Sequence, residues 1–194
     1  MSKVQTDNSN LSGKIQLRIE SLPDKQNIKV LECFSGDSKM WNSVIKKTDK
    51  KIQILRIDQK PDKNSIYLKG DNIKFLGLMS LDNYDIIDLD AYGIPFKQLE
   101  IIFKKDYRGI VHVTCIQSIF GRINNNLLIN LGYTKKMINK IPTIFMKNGA
   151  LKLKKWLAKN GISKIRHITK NRKNYLWFSM QDRQIKGGQN VTYL

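Results

Sequence analysis

Strand-like and helix-like segments alternate along nearly the whole of this 194-residue chain. Short apolar runs rich in Ile, Leu and Val begin near positions 28, 52, 65, 84 and 109, and turn residues follow each of the first four. Helix-start signals or helical periodicity come next in most cases. This alternation predicts parallel strands joined by right-handed helical crossovers, with helices on both faces of one sheet. The length suits one α/β domain.

The last part of the chain departs from that alternation. Two strand-like segments, residues 162–169 and 174–180, flank a short polar spacer and predict a hairpin, which adds an antiparallel strand. The predicted fold is therefore α/β: a Rossmann-like, doubly wound, seven-stranded sheet whose last strand is antiparallel. We expect residues 1–27 to form a polar arm or a short helix, residues 28–180 the domain, and residues 181–194 a tail.

Charge is distributed unevenly along the chain. Residues 1–100 hold 16 Lys and Arg against 14 Asp and Glu, whereas residues 101–194 hold 19 against two. A compositional bias of the genome would raise the charge of both halves, so the asymmetry favours an anionic macromolecule contacted by the second half. We expect nucleic acid rather than a membrane surface, because no basic amphipathic helix with exposed aromatic residues is evident.

Targeting and metal-binding signals are weak. No apolar run reaches the roughly 20 residues that cross a bilayer, and the first residues lack a secretory pattern, so we expect a cytoplasmic protein. Cys33 and Cys115 lie far apart and without metal-ligand spacing, so no metal site is predicted.

Polar residues follow the first three strands, where an α/β sheet places its ligand crevice. The turn after the first strand, Glu32–Ser38, contains a single glycine, Gly36, and lacks the G-x-G-x-x-G pattern of a pyrophosphate cradle. Asp58 ends the second strand and could accept both ribose hydroxyls of a nucleoside. Asp71 could accept from an adenine amino group or cap the following helix. An NAD-dependent oxidoreductase is disfavoured by the missing glycines.

The segment Asp88–Pro95 is the most informative. Two carboxylates, Asp88 and Asp90, end a strand that should be buried, and burying them is unfavourable unless they are paired or hydrogen-bonded. They could cap the next helix, or they could accept hydrogen bonds from the exocyclic amine of a base stacked on Tyr92.

Residues 84–95, Tyr-Asp-Ile-Ile-Asp-Leu-Asp-Ala-Tyr-Gly-Ile-Pro, resemble the Asp-Leu-Asp-Pro-Phe/Tyr-Gly-Ser-Pro signature of tRNA guanine-N2 dimethyltransferases. Residues 109–114 are similar to the strand that follows in that family. The layout of residues 28–180 resembles the class I S-adenosylmethionine-dependent methyltransferases. The resemblance implies that Glu32, Asp58 and Asp71 contact S-adenosylmethionine, and that Asp88 and Asp90 lie between its methyl group and the target nitrogen. With Tyr92 as the stacking residue, the predicted catalytic group is Asp88, Asp90 and Tyr92. The full set of predicted cofactor contacts is Glu32, Phe34, Ser35, Gly36, Asp58, Gln59, Asp71, Asn72 and Asp88.

The expected function is methyl transfer to a base nitrogen of nucleic acid, with tRNA-like RNA favoured over DNA. One alternative is a catalytically silent module that uses this fold to dock nucleic acid. Another rests on Thr114-Cys115, which is similar to the Thr-Cys of RNA cytosine-carbon-5 methyltransferases and would make Cys115 a nucleophile. The predicted phosphate contacts are Arg122, Lys135, Lys136, Lys152, Lys155, Arg166, Arg172 and Lys173.

Overall fold

The computed structural model describes residues 10–59, 67–116, 123–171 and 173–184. Its first half contains α1 (Leu11–Glu20), β1 (Asn27–Glu32), α2 (Lys39–Ile45), β2 (Lys51–Asp58), β3 (Tyr67–Lys69), α3 (Asn72–Leu78) and β4 (Ile86–Leu89). The second half contains α4 (Phe96–Lys104), β5 (Ile110–Ile116), α5 (Asn125–Asn130), α6 (Lys135–Lys140), α7 (Ile144–Lys159), β6 (Arg166–Lys170) and β7 (Lys173–Ser179).

The described strands form one seven-stranded sheet in the order β3-β2-β1-β4-β5-β7-β6. Strands β1 to β5 run parallel to one another, whereas β7 runs antiparallel to both β5 and β6. From β1 the chain adds β2 and β3 on one side of the sheet and then crosses to the other side of β1 to form β4. This change of direction creates a topological switch point at the carboxyl ends of β1 and β4. The predicted sheet with an antiparallel last strand is confirmed.

The two faces of the sheet differ in chemistry. Leu31 of β1 and Cys33, directly after the strand, join a large apolar core with α4 and α7. Even-numbered residues of β1, such as Ile28 and Val30, contribute to a smaller cluster with Trp41 of α2. This second face turns polar toward the carboxyl ends of the strands, because Glu32, Asp88 and their neighbours follow the same two-residue period.

Several element boundaries differ from the expectation. Residues 11–20 form α1, the short helix that was one of the two structures left open. Helix α6 was not predicted. Helix α7 begins at Ile144, ahead of the helix that the sequence predicts over residues 149–160, and the non-helical backbone of Asn148 divides it into two parts. Strand β6 begins at Arg166 rather than at Ile162, which is 1% exposed and packs in the core ahead of the strand.

Candidate active site

The turn after β1 is tied to both neighbouring strands at the switch point. Its backbone donates from Cys33 N to the carbonyl of Asp88 (2.9 Å) and from Ser35 N to that of Ile57 (3.4 Å). Gly36 has a φ of 55°, in the left-handed region that glycine adopts without strain. The turn therefore brings main chain, rather than bulky side chains, to the crevice.

Ser35 and Asp58 are the two residues of this turn region whose polar groups bear most directly on ligand binding. The Ser35 side-chain oxygen is buried and has no hydrogen-bond partner among the described residues, a state that is unfavourable for a hydroxyl unless something else satisfies it. The Asp58 carboxylate accepts from Gly36 N at 2.9 Å and so fixes the end of β2 against the turn. Phe34 is half-buried and Gln59 is exposed at the same edge.

Asp71 and Asn72 have structural partners at the start of α3. Asp71 accepts from Ile73 N at 2.9 Å and caps the helix, the second of the two roles predicted for it. The amide of Asn72 donates to the carbonyl of Cys33 (2.7 Å) and accepts from Gln98 (2.8 Å). These bonds join the turns after β1 and β3 to helix α4. Contacts of Asp71 and Asn72 with a cofactor stay a prediction.

Glu32 lies beneath the turn rather than at its surface. Its side chain is 1% exposed and pairs with Arg56 of β2, with 3.1 Å between Nε and Oε2. Burial raises the pKa of Glu32 well above its ordinary value, and the nearby charge of Asp88 adds to this, while Arg56 and Arg18 oppose it. Arg56 also donates to the side-chain oxygen of Asn42 on α2 at 2.8 Å.

Asp88 is fully buried and fully engaged with protein donors. Arg18 of α1 donates to its two oxygens from Nε and from a terminal nitrogen, each at 2.8 Å, and Trp41 Nε1 donates to Oδ2 at 2.6 Å. With 0% exposure, this carboxylate does not reach the crevice surface. It does not cap α4 either, since that helix begins after Pro95 without a side-chain cap. The structure thus gives Asp88 an organising position inside β4, one residue before the last residue of the strand.

Asp90 is the carboxylate that reaches the edge. Its side chain is 15% exposed, and its oxygens accept from Lys14 Nζ at 2.7 Å and from the hydroxyl of Thr114. The following loop is held by the bond from Ile116 N to the carbonyl of Gly93 (3.0 Å). Tyr92 is 74% exposed beside it. An acceptor and an aromatic face are therefore presented together at the carboxyl end of β4.

Lys14 and Arg18 belong to the candidate site, and sequence reasoning missed them. Four residues of helix rise about 6 Å, and two residues of strand span about 6.6 Å. An α-helix antiparallel to β4 can thus place cations four apart on carboxylates two apart, as Arg18 on Asp88 and Lys14 on Asp90 show. The four-residue spacing of the two cations, amid Ile15, Leu17 and Ile19, was the signal in the sequence.

Cys115 lacks the properties of a nucleophile. It is 0% exposed, points to the apolar core on the face opposite Asp90, and burial raises the pKa of its thiol to about 12. The structure gives no support to the cytosine-carbon-5 alternative that relied on it. His112 is also buried, bonded to the hydroxyl of Ser21 at 2.7 Å, and its pKa is well below the ordinary value through burial and the charge of Arg18.

The predicted phosphate contacts occupy different surroundings. Lys135, Lys136 and Lys155 are exposed. Lys152 donates to the carbonyl of Gly132 at 2.6 Å and lies 4.7 Å from the ring centroid of Tyr133.

The two remaining described members of that set lie on the β6–β7 hairpin. Arg166 is exposed and pairs with Glu20 at 3.4 Å. Lys173 is half-buried opposite Ile116, at the same edge as Asp90. Arg122 and Arg172 lie outside the described residues.

Other potential sites are less developed. A polar depression of about 390 Å³, lined in part by Lys25, Lys29 and Asp85, lies at the amino ends of β1 and β4, opposite the switch point. Among the described residues, His, Cys, Asp and Glu form no cluster suited to a metal ion. Nor does any helix in the described ranges have the length and apolar character to cross a membrane.

No protein-family model matches the sequence, and no curated protein matches it either. Solved structures do match. A proposed methyltransferase of Escherichia coli, yhhF, aligns over 94% of this chain and 90% of its own with a TM-score of 0.56 and 9% identity. A proposed class I S-adenosylmethionine-dependent methyltransferase of Listeria monocytogenes aligns over 98% and 66%, with a TM-score of 0.57 and 16% identity. The fold is that of class I methyltransferases.

A proposed S-adenosylmethionine-dependent methyltransferase of Methanococcus maripaludis shares the class I fold over 95% of this chain and 99% of its own, with a TM-score of 0.50 and 13% identity. In this chain, the carboxyl ends of β1, β2 and β4 meet at the switch point of that fold. The resemblance of residues 84–95 to tRNA guanine-N2 dimethyltransferases stays a prediction.

Proposed function

We propose that this chain is an S-adenosylmethionine-dependent methyltransferase that acts on a base nitrogen of nucleic acid, with RNA favoured over DNA. The observation that carries the proposal is the class I strand order with a reversed β7, combined with a polar crevice at the carboxyl ends of β1, β2 and β4. A dinucleotide-binding sheet is mostly parallel, and the phosphates of its ligand require a glycine-rich turn after the first strand, which this chain lacks.

Residues around the first turn fit the cofactor. The Ser35 hydroxyl, which has no hydrogen-bond partner among the described residues, can donate and accept a hydrogen bond. Gly36 adds no side chain to the main chain of the turn. Asp58, at the end of β2, carries the carboxylate expected for the ribose hydroxyls. S-adenosylmethionine would supply a methyl group activated by a sulfonium. Ser35, Gly36 and Asp58 would hold it in place.

Asp90 and Tyr92 would receive the target. The Asp90 carboxylate can accept a hydrogen bond from an exocyclic amine, and the exposed ring of Tyr92 can stack on the base. Holding the amine in line with the methyl group is a proximity effect that requires little covalent chemistry. Asp88 would act from below by fixing the end of β4.

Charge supports a nucleic-acid substrate. Residues 101–194 carry 19 Lys and Arg against two acids. Lys173 lies at the same edge as Asp90, and Lys135, Lys136 and Lys155 are exposed. Contacts of this kind bind phosphates without reading sequence, so they favour a polyanion and leave its sequence open.

The first experiment is calorimetric titration of the protein with S-adenosylhomocysteine and, separately, with NADH. We expect micromolar binding of S-adenosylhomocysteine alone, lost in Asp58→Ala and kept in Asp82→Ala, an exposed carboxylate at the amino edge of the sheet. Absence of binding would contradict the proposal, and binding of NADH instead would point to dinucleotide chemistry.

The second experiment measures transfer of labelled methyl groups to tRNA, other RNA and DNA. We expect transfer to RNA, lost in Asp90→Ala. Binding of RNA without S-adenosylhomocysteine binding or transfer would favour the catalytically silent docking module. Transfer to a protein or small molecule alone would contradict the nucleic-acid substrate.

A further inference from the structure

Helix α1 and the residue that caps its C-terminus present three polar side chains on one face. Lys14, Arg18 and the capping residue Ser21 are spaced by four and three residues, so they project in the same direction. They bind Asp90, Asp88 and His112, respectively, all on β4 and β5 or directly after β4. The helix is thus docked in register on the polar face of the sheet, against the strand end where the target amine is proposed to bind.

The Asp90 carboxylate is held from two sides. Lys14 donates to Oδ2 and Thr114 donates to Oδ1, and the side chains of Lys14 and Asp90 are only 11% and 15% exposed. The Lys14 ammonium also lies 5.7 Å from the ring centroid of Tyr175, within the range of a cation–π contact. Each carboxylate oxygen has two acceptor positions, so one on each remains after these bonds.

We propose that Lys14 is a positioning residue for methyl transfer: its ammonium, together with the Thr114 hydroxyl, fixes Asp90 as an acceptor for an exocyclic amine. This inference rests on the proposed function. An orienting carboxylate must be held to within a fraction of an ångström, and one with a single remaining bond could rotate. A carboxylate bound to a cation accepts N–H donors, so the site selects exocyclic amines over carbonyl oxygens and over ring nitrogens without hydrogen.

The test compares Lys14→Met, which keeps an apolar stem of similar length, with Lys14→Arg, which keeps the charge. We expect Lys14→Met to lower kcat on the amine-bearing nucleic acid by about a hundredfold. Its affinity for S-adenosylhomocysteine should stay within about twofold of wild type, since Lys14 binds the target side only. Lys14→Arg should recover part of kcat.

Lys25→Met is the matched control, because Lys25 also pairs with an aspartate, Asp85, at 2.5 Å but at the amino edge of the sheet. It should leave kcat unchanged. Equal or higher kcat in Lys14→Met would overturn the inference, and higher kcat would mean that the ammonium competes with the target amine.

A readout independent of turnover is the crystal structure of Lys14→Met. We expect the Asp90 carboxylate to rotate away from the orientation in which it accepts from Thr114. An unchanged orientation would overturn the inference. Failure of the wild type to bind S-adenosylhomocysteine would refute the proposed function separately, while the orientation of Asp90 would still decide whether Lys14 positions it.

Discussion

Arg18 and Asp88, 70 residues apart in sequence, face each other through two 2.8 Å hydrogen bonds, with side chains 2% and 0% exposed. The pair fastens helix α1 to the centre of the sheet. A buried ion pair adds little net stability over an apolar pair, but losing one partner leaves the other charge buried and uncompensated. The position of α1 therefore depends on both residues.

Arg18→Met should lower the free energy of unfolding by about 3–5 kcal/mol, because the Trp41 bond is then all that the described residues offer the buried Asp88 carboxylate. Arg166→Met is the control, since its pair with Glu20 is exposed and spans 3.4 Å; it should cost at most about 1 kcal/mol. Urea denaturation measures both. An equal loss of unfolding free energy in the two variants would show that the buried pair contributes no more to stability than the exposed one.

Ser35→Ala should have opposite effects on the ligand-free protein and on cofactor binding. Removing an unsatisfied buried hydroxyl should leave the unfolding free energy unchanged or raise it by about 1 kcal/mol. The same change should weaken S-adenosylhomocysteine binding several-fold, by about 1 kcal/mol, because a hydrogen bond to the ligand is removed. Thermal unfolding and calorimetry give the two values. Unchanged affinity would remove Ser35 from the cofactor site.

Cys115 should be chemically inert in the folded protein. Because burial raises its pKa to about 12, it holds almost no thiolate at pH 8, where a disulfide reagent should label it only after unfolding in denaturant. Cys115→Ala should keep methyl transfer within about twofold of wild type, since the thiol takes no part in the chemistry. A loss of transfer in a stably folded variant would restore the nucleophile hypothesis.

His112 should make stability depend on pH. Its folded pKa lies below the ordinary 6.5, so as pH falls through that value the unfolded chain takes up a proton that the folded protein does not. The contribution to stability is present above pH 6.5 and declines below it, by up to about 1.4 kcal/mol per pH unit. Urea denaturation of wild type and His112→Gln from pH 8 to 5 measures it, and Glu32, common to both, cancels. A difference independent of pH would contradict the buried neutral imidazole.

Substituting an exposed lysine and substituting a hydrogen-bonded one should have different effects on RNA binding and on stability. Removing one lysine that binds a phosphate makes the slope of log affinity against log salt shallower by about 0.7–0.9. Lys135→Gln and Lys136→Gln, on exposed residues, should each reduce the slope without affecting unfolding. Lys152→Gln should instead reduce stability, since its ammonium holds the Gly132 carbonyl. An unchanged salt slope in Lys135→Gln and Lys136→Gln would show that RNA does not contact these two lysines.

The sequence determined the fold class and the crevice. Apolar runs such as those that begin at Ile28 and Ile52, alternating with helical segments, form parallel strands, and the short polar spacer after Lys170 closes a hairpin. Because parallel strands all end at the same edge, the meeting of Glu32, Asp58 and Asp90 there followed from topology alone.

Only the tertiary structure decided which of the two carboxylates at the end of β4, Asp88 or Asp90, reaches the crevice. Asp88 and Asp90 are alike in sequence, but Arg18 and Trp41 bury the first, whereas Lys14 leaves the second at the edge. Residues 11–20 carried too weak an apolar pattern to define a helix by themselves. The helix is stabilised by docking, where a four-residue step along α1 matches a two-residue step along β4, and such a match exists only between elements already folded.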